Sequence, residues 1–96
     1  MTPTATRTVR IGIHGRVQGV GFRYWMQEVS DELGLAGWVR NRSDGSVEAL
    51  ISGQFARVAE MLARCREGPP AARVTDLAIL AEEETTFADF EIRPTV

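Results

Sequence analysis

The sequence predicts a two-layer α+β fold in which one sheet is covered by two helices. Three features of the 96-residue chain lead to this prediction: runs that alternate between apolar and polar residues, two stretches with apolar residues at helical spacing, and an Asp-Gly turn between two strand-like runs. The elements follow the order β-α-β-β-α-β, with a short strand at the end. Two right-handed βα crossovers then interleave, so we expect one antiparallel sheet with both helices on one face, the ferredoxin-like sandwich.

The first strand is indicated by Val9, Ile11 and Ile13, which alternate with Arg, Gly and His. A glycine-rich loop over residues 15–21 follows it. Beyond the loop, apolar residues recur at steps of three and four, which predicts an amphipathic helix that ends at Gly34. The residues of this apolar face are Phe22, Trp25, Met26, Val29 and Leu33.

A hairpin is predicted next, because residues 38–42 and 47–51 are strand-like and Asp44-Gly45 lies between them. We expect Gly53 to break the second of these strands. A second amphipathic helix follows and ends at Gly68-Pro69-Pro70. Its apolar positions are Phe55, Val58, Ala59, Leu62 and Cys65.

The last third of the chain predicts a fourth strand over residues 74–80 and a shorter final strand over residues 87–92. Between them, Glu82 to Glu84 are expected to form a solvated turn. The place of the final strand in the sheet is left open. We assign residues 1–6 to a flexible tail and residues 7–96 to a single domain.

The composition limits the kinds of function. All 11 basic residues are arginine, so a Schiff-base lysine and a Walker-type phosphate lysine are excluded. Cys65 and His14 are the only cysteine and histidine, which argues against a metal site built from these residues. The net charge is −2, and no stretch has the length or apolar character of a membrane span or secretory signal. We expect a cytoplasmic monomer that needs no metal or cofactor and binds neither nucleic acid nor membrane.

The loop between the first strand and the first helix is the best candidate for a functional site. Three glycines in seven residues allow successive amides to point into one concavity, and the helix that follows adds free N–H groups. Arg23, in the first turn of that helix, can place its guanidinium over the same point. On these grounds the loop either binds a phosphate or is a tight turn with an incidental cluster of glycines.

Four segments resemble one family. Residues 15–23, Gly-Arg-Val-Gln-Gly-Val-Gly-Phe-Arg, are similar to the first acylphosphatase signature, and residues 37–48 are similar to the second at the family's spacing. Residues 68–74 and 90–93 also resemble later segments of the family. The likeness runs from about Val9 to Arg93.

The resemblance implies roles for particular residues. It makes Arg23 the arginine that holds the substrate phosphate and Asn41 the asparagine that positions the attacking water. The backbone amides of the loop would complete the phosphate site. Those loop residues are Val17, Gln18, Gly19, Val20, Gly21 and Phe22. The implied activity is hydrolysis of a small-molecule acyl phosphate to a carboxylate and inorganic phosphate.

Two other functions remain as alternatives. One is an RNA-binding module, which would need exposed aromatic residues on the middle strands. The other is a regulatory or maturation-type domain in which hydrolysis is incidental. His14 and Cys65 are interpreted as structural or surface residues, and Arg16, Arg40 and Arg42 as a solvated strand face. The particular acyl phosphate that serves as substrate is left open.

Overall fold

The computed structural model describes residues 5–85 and 87–96. Its elements follow the predicted order along the chain. They are β1 (Thr6–Arg16), α1 (Phe22–Leu33), β2 (Ala36–Asn41), β3 (Val47–Gln54), α2 (Phe55–Cys65), β4 (Arg73–Glu83) and β5 (Phe90–Ile92). Residues 1–4 of the predicted tail lie outside the described residues, and Thr6 is the first residue of β1. None of the described helices is long and apolar enough to cross a membrane.

The five strands form one sheet in the order β4-β1-β3-β2-β5. The helices lie on the same face of it, because α1 packs on β2 and β5, α2 packs on β1 and β3, and the two helices contact each other. Alternate residues of the inner strands point toward the helices, so the apolar alternation seen in the sequence becomes the floor of the core. The buried sheet residues on this face are Val9, Ile11, Ile13, Val39, Val47, Ala49 and Ile51. The helices contribute Phe22, Met26, Val29, Val58, Met61, Leu62 and Cys65.

The sheet is mixed, so the prediction of an antiparallel sheet is wrong in one detail. The pairs β1–β3, β1–β4 and β2–β3 are antiparallel, but β5 lies parallel to β2. The physical reason is the direction of β4. Since β4 runs opposite to β1 and β2, the chain leaves it at the end of the sheet where those strands begin. A strand that starts at that end runs parallel to β2.

Two predicted boundaries are also wrong. Gly53 does not break β3 but pairs with Arg7 inside the sheet, and a Cβ there would come within 2.5 Å of the Leu35 side chain. The glycine therefore makes room for a core leucine. Glu82 and Glu83 belong to β4 rather than to a turn, because they pair with Val9 and Thr8 of β1. Arg7 and Arg10 of β1 also form salt bridges with their carboxylates.

Candidate active site

The sheet topology brings two distant segments of the chain to the same place. Because β1 and β2 both run antiparallel to β3, which separates them, their last residues lie at the same end of the sheet. Ile13 on β1 and Asn41 on β2 are both paired with Val47 on β3. Asn41 therefore lies in a row that faces the helices, next to the loop that leaves β1.

The loop between β1 and α1 has the backbone conformation of an anion-binding turn. Gly19 and Gly21 have φ angles of 72° and 79°, a region that is strained for any residue with a side chain. Gly21 is the N-cap of α1, yet no side chain among the residues that the structure describes caps this helix, and no acidic residue lies in its first turn. Within the described chain, no N–H of residues 17–22 takes part in a loop or cap hydrogen bond to the backbone. These amides are available to an anion.

A small cavity of about 90 Å³ lies at this point. This is several times the space that one water molecule requires, so a phosphate group fits. The residues that line it are Val17, Gly19, Gly21, Phe22, Arg23, Tyr24 and Asn41. The structure thus brings together Arg23, Asn41 and four of the six predicted loop residues. Gln18 and Val20 are not in its lining, and Val20 packs against the core.

Arg23 differs from most arginines of the protein in its pairing. Seven of the 11 arginines form salt bridges with carboxylates. Those seven are Arg7, Arg10, Arg40, Arg42, Arg57, Arg64 and Arg93. Among the residues that the structure describes, no carboxylate forms a salt bridge with Arg23. Its positive charge is available to a bound anion, which a guanidinium can grip through two parallel hydrogen bonds.

The side chain of Gln18 joins the loop to the turn between β2 and β3. Its amide nitrogen donates to the carbonyl oxygen of Arg42 at 2.7 Å and to that of Ser46 at 2.9 Å. These bonds hold the loop against the residues that follow Asn41. From the sequence, only the backbone amide of Gln18 is assigned to the site. The spacing of the two segments along the chain does not predict the side-chain contact.

Glu48 supports Asn41 from the opposite face of the sheet. Its side chain is only 1% exposed and lies within salt-bridge distance of Arg10 (3.0 Å), Arg40 (2.7 Å) and Arg42 (3.5 Å). Burial alone would raise the pKa of Glu48, but hydrogen bonds from Arg40 and Arg10 lower it, and the pKa lies below its ordinary value. Because Arg40 and Arg42 flank Asn41, the backbone at Asn41 is held on both sides. The side chains of Arg40 and Arg42 are 27% and 43% exposed, so they remain partly solvated while they pair with Glu48.

We expect Glu48→Gln to lower the free energy of unfolding at pH 7 by roughly 1.5–3 kcal/mol, the scale of hydrogen bonds to a charged group. The folded pKa of Glu48 is depressed, so its contribution is complete above the unfolded pKa of about 4.3 and is lost as the pH falls through the folded pKa. Denaturant titrations should therefore show a smaller difference between wild type and variant at about pH 3 than at pH 7.

Glu82→Gln is the matched control, because Glu82 also pairs with an arginine but its side chain is 58% exposed. That variant should cost less than about 1 kcal/mol. An effect of Glu48→Gln that is equally large at both pH values would contradict the assigned role of its charge.

His14 and Cys65 lie away from the cavity, as interpreted from the sequence. His14 is exposed, and the neighbouring Ile13 on β1 is fully buried. Cys65 is buried in the core, and burial raises the pKa of its thiol to about 12. A thiol with this pKa stays protonated near neutral pH, which makes it a poor nucleophile.

A larger cavity, of about 1230 Å³, lies at the other end of the sheet, where β1 begins and β3 and β4 end. It contains none of the predicted site residues. Asp31, Glu82, Glu83, Glu84 and Asp89 are among its lining residues, and the guanidinium of Arg7 there is already paired with Glu82. An acidic lining does not suit a phosphate dianion, so the small cavity is the better candidate for the active site.

The fold and the small cavity define a class: α+β proteins with an anion-binding loop between the first strand and the first helix. The sequence profile of the Acylphosphatase family matches residues 9–92. An acylphosphatase of Nitrobacter hamburgensis is 56% identical over 85 residues, which cover 88% of this chain and 84% of the relative. An acylphosphatase of Rhodospirillum rubrum is 48% identical over 90 residues, covering 94% and 99%. The chain belongs to the acylphosphatase family and is a hydrolase that acts on acyl phosphates.

Solved structures agree with this assignment. The acylphosphatase from Bacillus subtilis superposes with a TM-score of 0.85 at 38% identity, covering 93% of this chain and 99% of that chain. Full-length HypF, in its phosphate- and nucleotide-bound form, gives a TM-score of 0.86 at 26% identity. There the match covers 98% of this chain but only 13% of HypF. The same fold therefore also occurs inside a much longer protein.

Proposed function

We propose that Arg23 and the loop amides hold the phosphate of an acyl phosphate while Asn41 positions the water that attacks it. The observation that carries the proposal is the shared cavity: Arg23, Asn41 and the loop come from different elements and line the same 90 Å³ space. The amides are those of residues 17–22. The cavity is large enough for the phosphate group and the attacking water.

The phosphate would be held mainly by charge and by preorganised donors. The guanidinium of Arg23, unpaired among the described residues, supplies a full positive charge. The uncapped N-terminus of α1 supplies N–H groups and the positive end of the helix dipole. These groups also stabilise the charge that spreads over the phosphate oxygens as the bond to the leaving group lengthens. The loop is fixed before substrate arrives, because Gln18 bonds it to the carbonyls of Arg42 and Ser46.

The reaction needs one bond to form and one to break. The water oxygen attacks phosphorus, the bond between phosphorus and the acyl oxygen breaks, and the carboxylate leaves with the electron pair. The proton of the water goes to a phosphate oxygen of the substrate. Because a carboxylic acid has a pKa of about 4, its anion leaves without protonation by a general acid. Asn41 would orient the water through its side-chain amide, and no covalent intermediate, metal or cofactor takes part.

The side chains on the open face of the sheet favour a small-molecule substrate over RNA. Proteins that bind RNA on such a sheet stack bases on exposed aromatic rings. Trp38 lies on this face but is only 6% exposed. The guanidinium carbons of Arg40 and Arg93 lie 4.6 Å and 5.1 Å from the centre of its ring. The proposed enzyme is a cytoplasmic monomer that binds no nucleic acid.

Hydrolysis of acetyl phosphate in ¹⁸O-labelled water tests the mechanism. If water attacks phosphorus, mass spectrometry should find the label in inorganic phosphate and none in acetate. The assay should be run with and without excess chelator, because the proposed site uses only protein groups, and the rates should agree within about twofold. Label in acetate would contradict attack at phosphorus. A chelator-sensitive rate that Mg²⁺ restores would contradict the metal-free site.

A further inference from the structure

The open side of the cavity indicates where the rest of the substrate lies. Arg23 and the loop would hold the phosphate in the cavity, which is open beside Gly19 and Gly21. The acyl group, attached to the phosphate through one oxygen, then extends toward this open side. The residues at its mouth are the ones that can recognise the acyl group.

The mouth is open on the side of the loop. A Cβ atom placed on Gly19 or on Gly21 would meet no atom of the described residues within 4 Å, so none of those residues fills the space above these two glycines. Val17 and Phe22 also line the cavity, but they are 1% and 2% exposed and belong to the core. They offer little surface to a group outside the cavity.

Tyr24 is the large side chain at this mouth. It lines the cavity beside Arg23, yet it is 68% exposed, the highest value among the large exposed apolar residues that the structure describes. Burial in the core does not account for a tyrosine at this position. Its ring can cover a flat apolar group that lies over the two glycines, with the geometry of aromatic pairs.

We propose that Tyr24 contacts the acyl group of the substrate and favours acyl phosphates with an aromatic acyl group over those with a small aliphatic one. The inference rests on the proposed function, because it needs the phosphate to occupy the cavity. Tyr24 is thereby a specificity-determining residue rather than a catalytic one. Its ring, not its hydroxyl, makes the contact.

The test compares benzoyl phosphate with acetyl phosphate, which carry the same phosphate group on acyl groups of different size. The quantity measured is the ratio of kcat/KM for benzoyl phosphate to kcat/KM for acetyl phosphate. In Tyr24→Ala this ratio should fall about three- to tenfold, the scale of one aromatic pair. In Tyr24→Phe it should stay within about twofold of wild type, because the ring is retained.

Phe55→Ala is the matched control, since Phe55 is another exposed aromatic residue, at 52%, and lies at the start of α2 by the larger cavity. Its ratio should equal that of wild type. An unchanged ratio in Tyr24→Ala, with both substrates hydrolysed, would overturn this inference alone. A wild-type enzyme that binds substrate but carries the ¹⁸O label into the carboxylate would overturn the proposed function instead.

Discussion

Replacing Asn41 by Ala should lower kcat by roughly 10²–10³, the scale for the loss of one preorganised polar group. Phosphate binding should stay near that of wild type, because the loop amides and Arg23 remain in place. The cause of this difference is the position of Asn41. It lines the cavity from β2, while the groups proposed to hold the phosphate come from the loop and α1. Steady-state kinetics and calorimetric titration with inorganic phosphate, on the same preparations, measure both effects.

The variant Asn41→Asp separates the position of this side chain from its charge. It has nearly the same shape but adds an anion beside a dianionic ligand, so it should bind phosphate more weakly than Asn41→Ala does. Loss of phosphate binding in Asn41→Ala would mean that Asn41 holds the phosphate rather than the water. Equal phosphate affinity in the Ala and Asp variants would place the ligand away from Asn41.

Arg23→Ala should lower kcat/KM by about 10³–10⁵, the range known for a single arginine that stabilises phosphoryl transfer. Both kcat and phosphate affinity should fall, because in the proposed mechanism the guanidinium contacts the phosphate before and during bond breaking. Arg23→Lys should recover little of the loss, since an ammonium group cannot form the two parallel hydrogen bonds of a guanidinium.

Arg57→Ala is the control for the loss of one positive charge. Arg57 lies on α2 with its side chain 53% exposed, and it pairs only with Glu60 among the described residues. Its removal should leave kcat/KM within about twofold of wild type, because surface pairs contribute little. If Arg57→Ala and Arg23→Ala reduce the rate equally, the effect comes from net charge and not from the site.

Much of this fold follows from local patterns in the sequence. The alternation of Val9, Ile11 and Ile13 and the three-four spacing on the helices are consequences of which face is buried, so they can be read one segment at a time. The errors all concern partners that are distant in sequence. Glu82 belongs to β4 because it pairs with Val9 of β1, and Gly53 stays in β3 because it pairs with Arg7 of β1. No local window contains these pairs.

The candidate site was predictable to different degrees. The glycine spacing and Arg23 in the first turn of α1 indicate an anion site on physical grounds alone. Asn41 was assigned only through the resemblance to a family, since an Asn before a turn is common. Gln18 and Tyr24 could not be assigned side-chain roles from the sequence. Gln18 contacts carbonyls more than 20 positions away, and Tyr24 is proposed to act through its place at the cavity mouth.

The position of β3 between β1 and β2 has a consequence for how activity returns during refolding. Both Arg23 and Asn41 lie in the first half of the chain. The strand that leads into the loop before Arg23, β1, and the strand that carries Asn41, β2, are not paired with each other. Only when β3 has paired with both strands do Ile13, Val47 and Asn41 lie in one row. Helical signal can recover earlier, since helices form from neighbouring residues, whereas strand pairing across the chain is slower. In a refolding experiment, enzymatic activity therefore serves as a reporter of the insertion of β3.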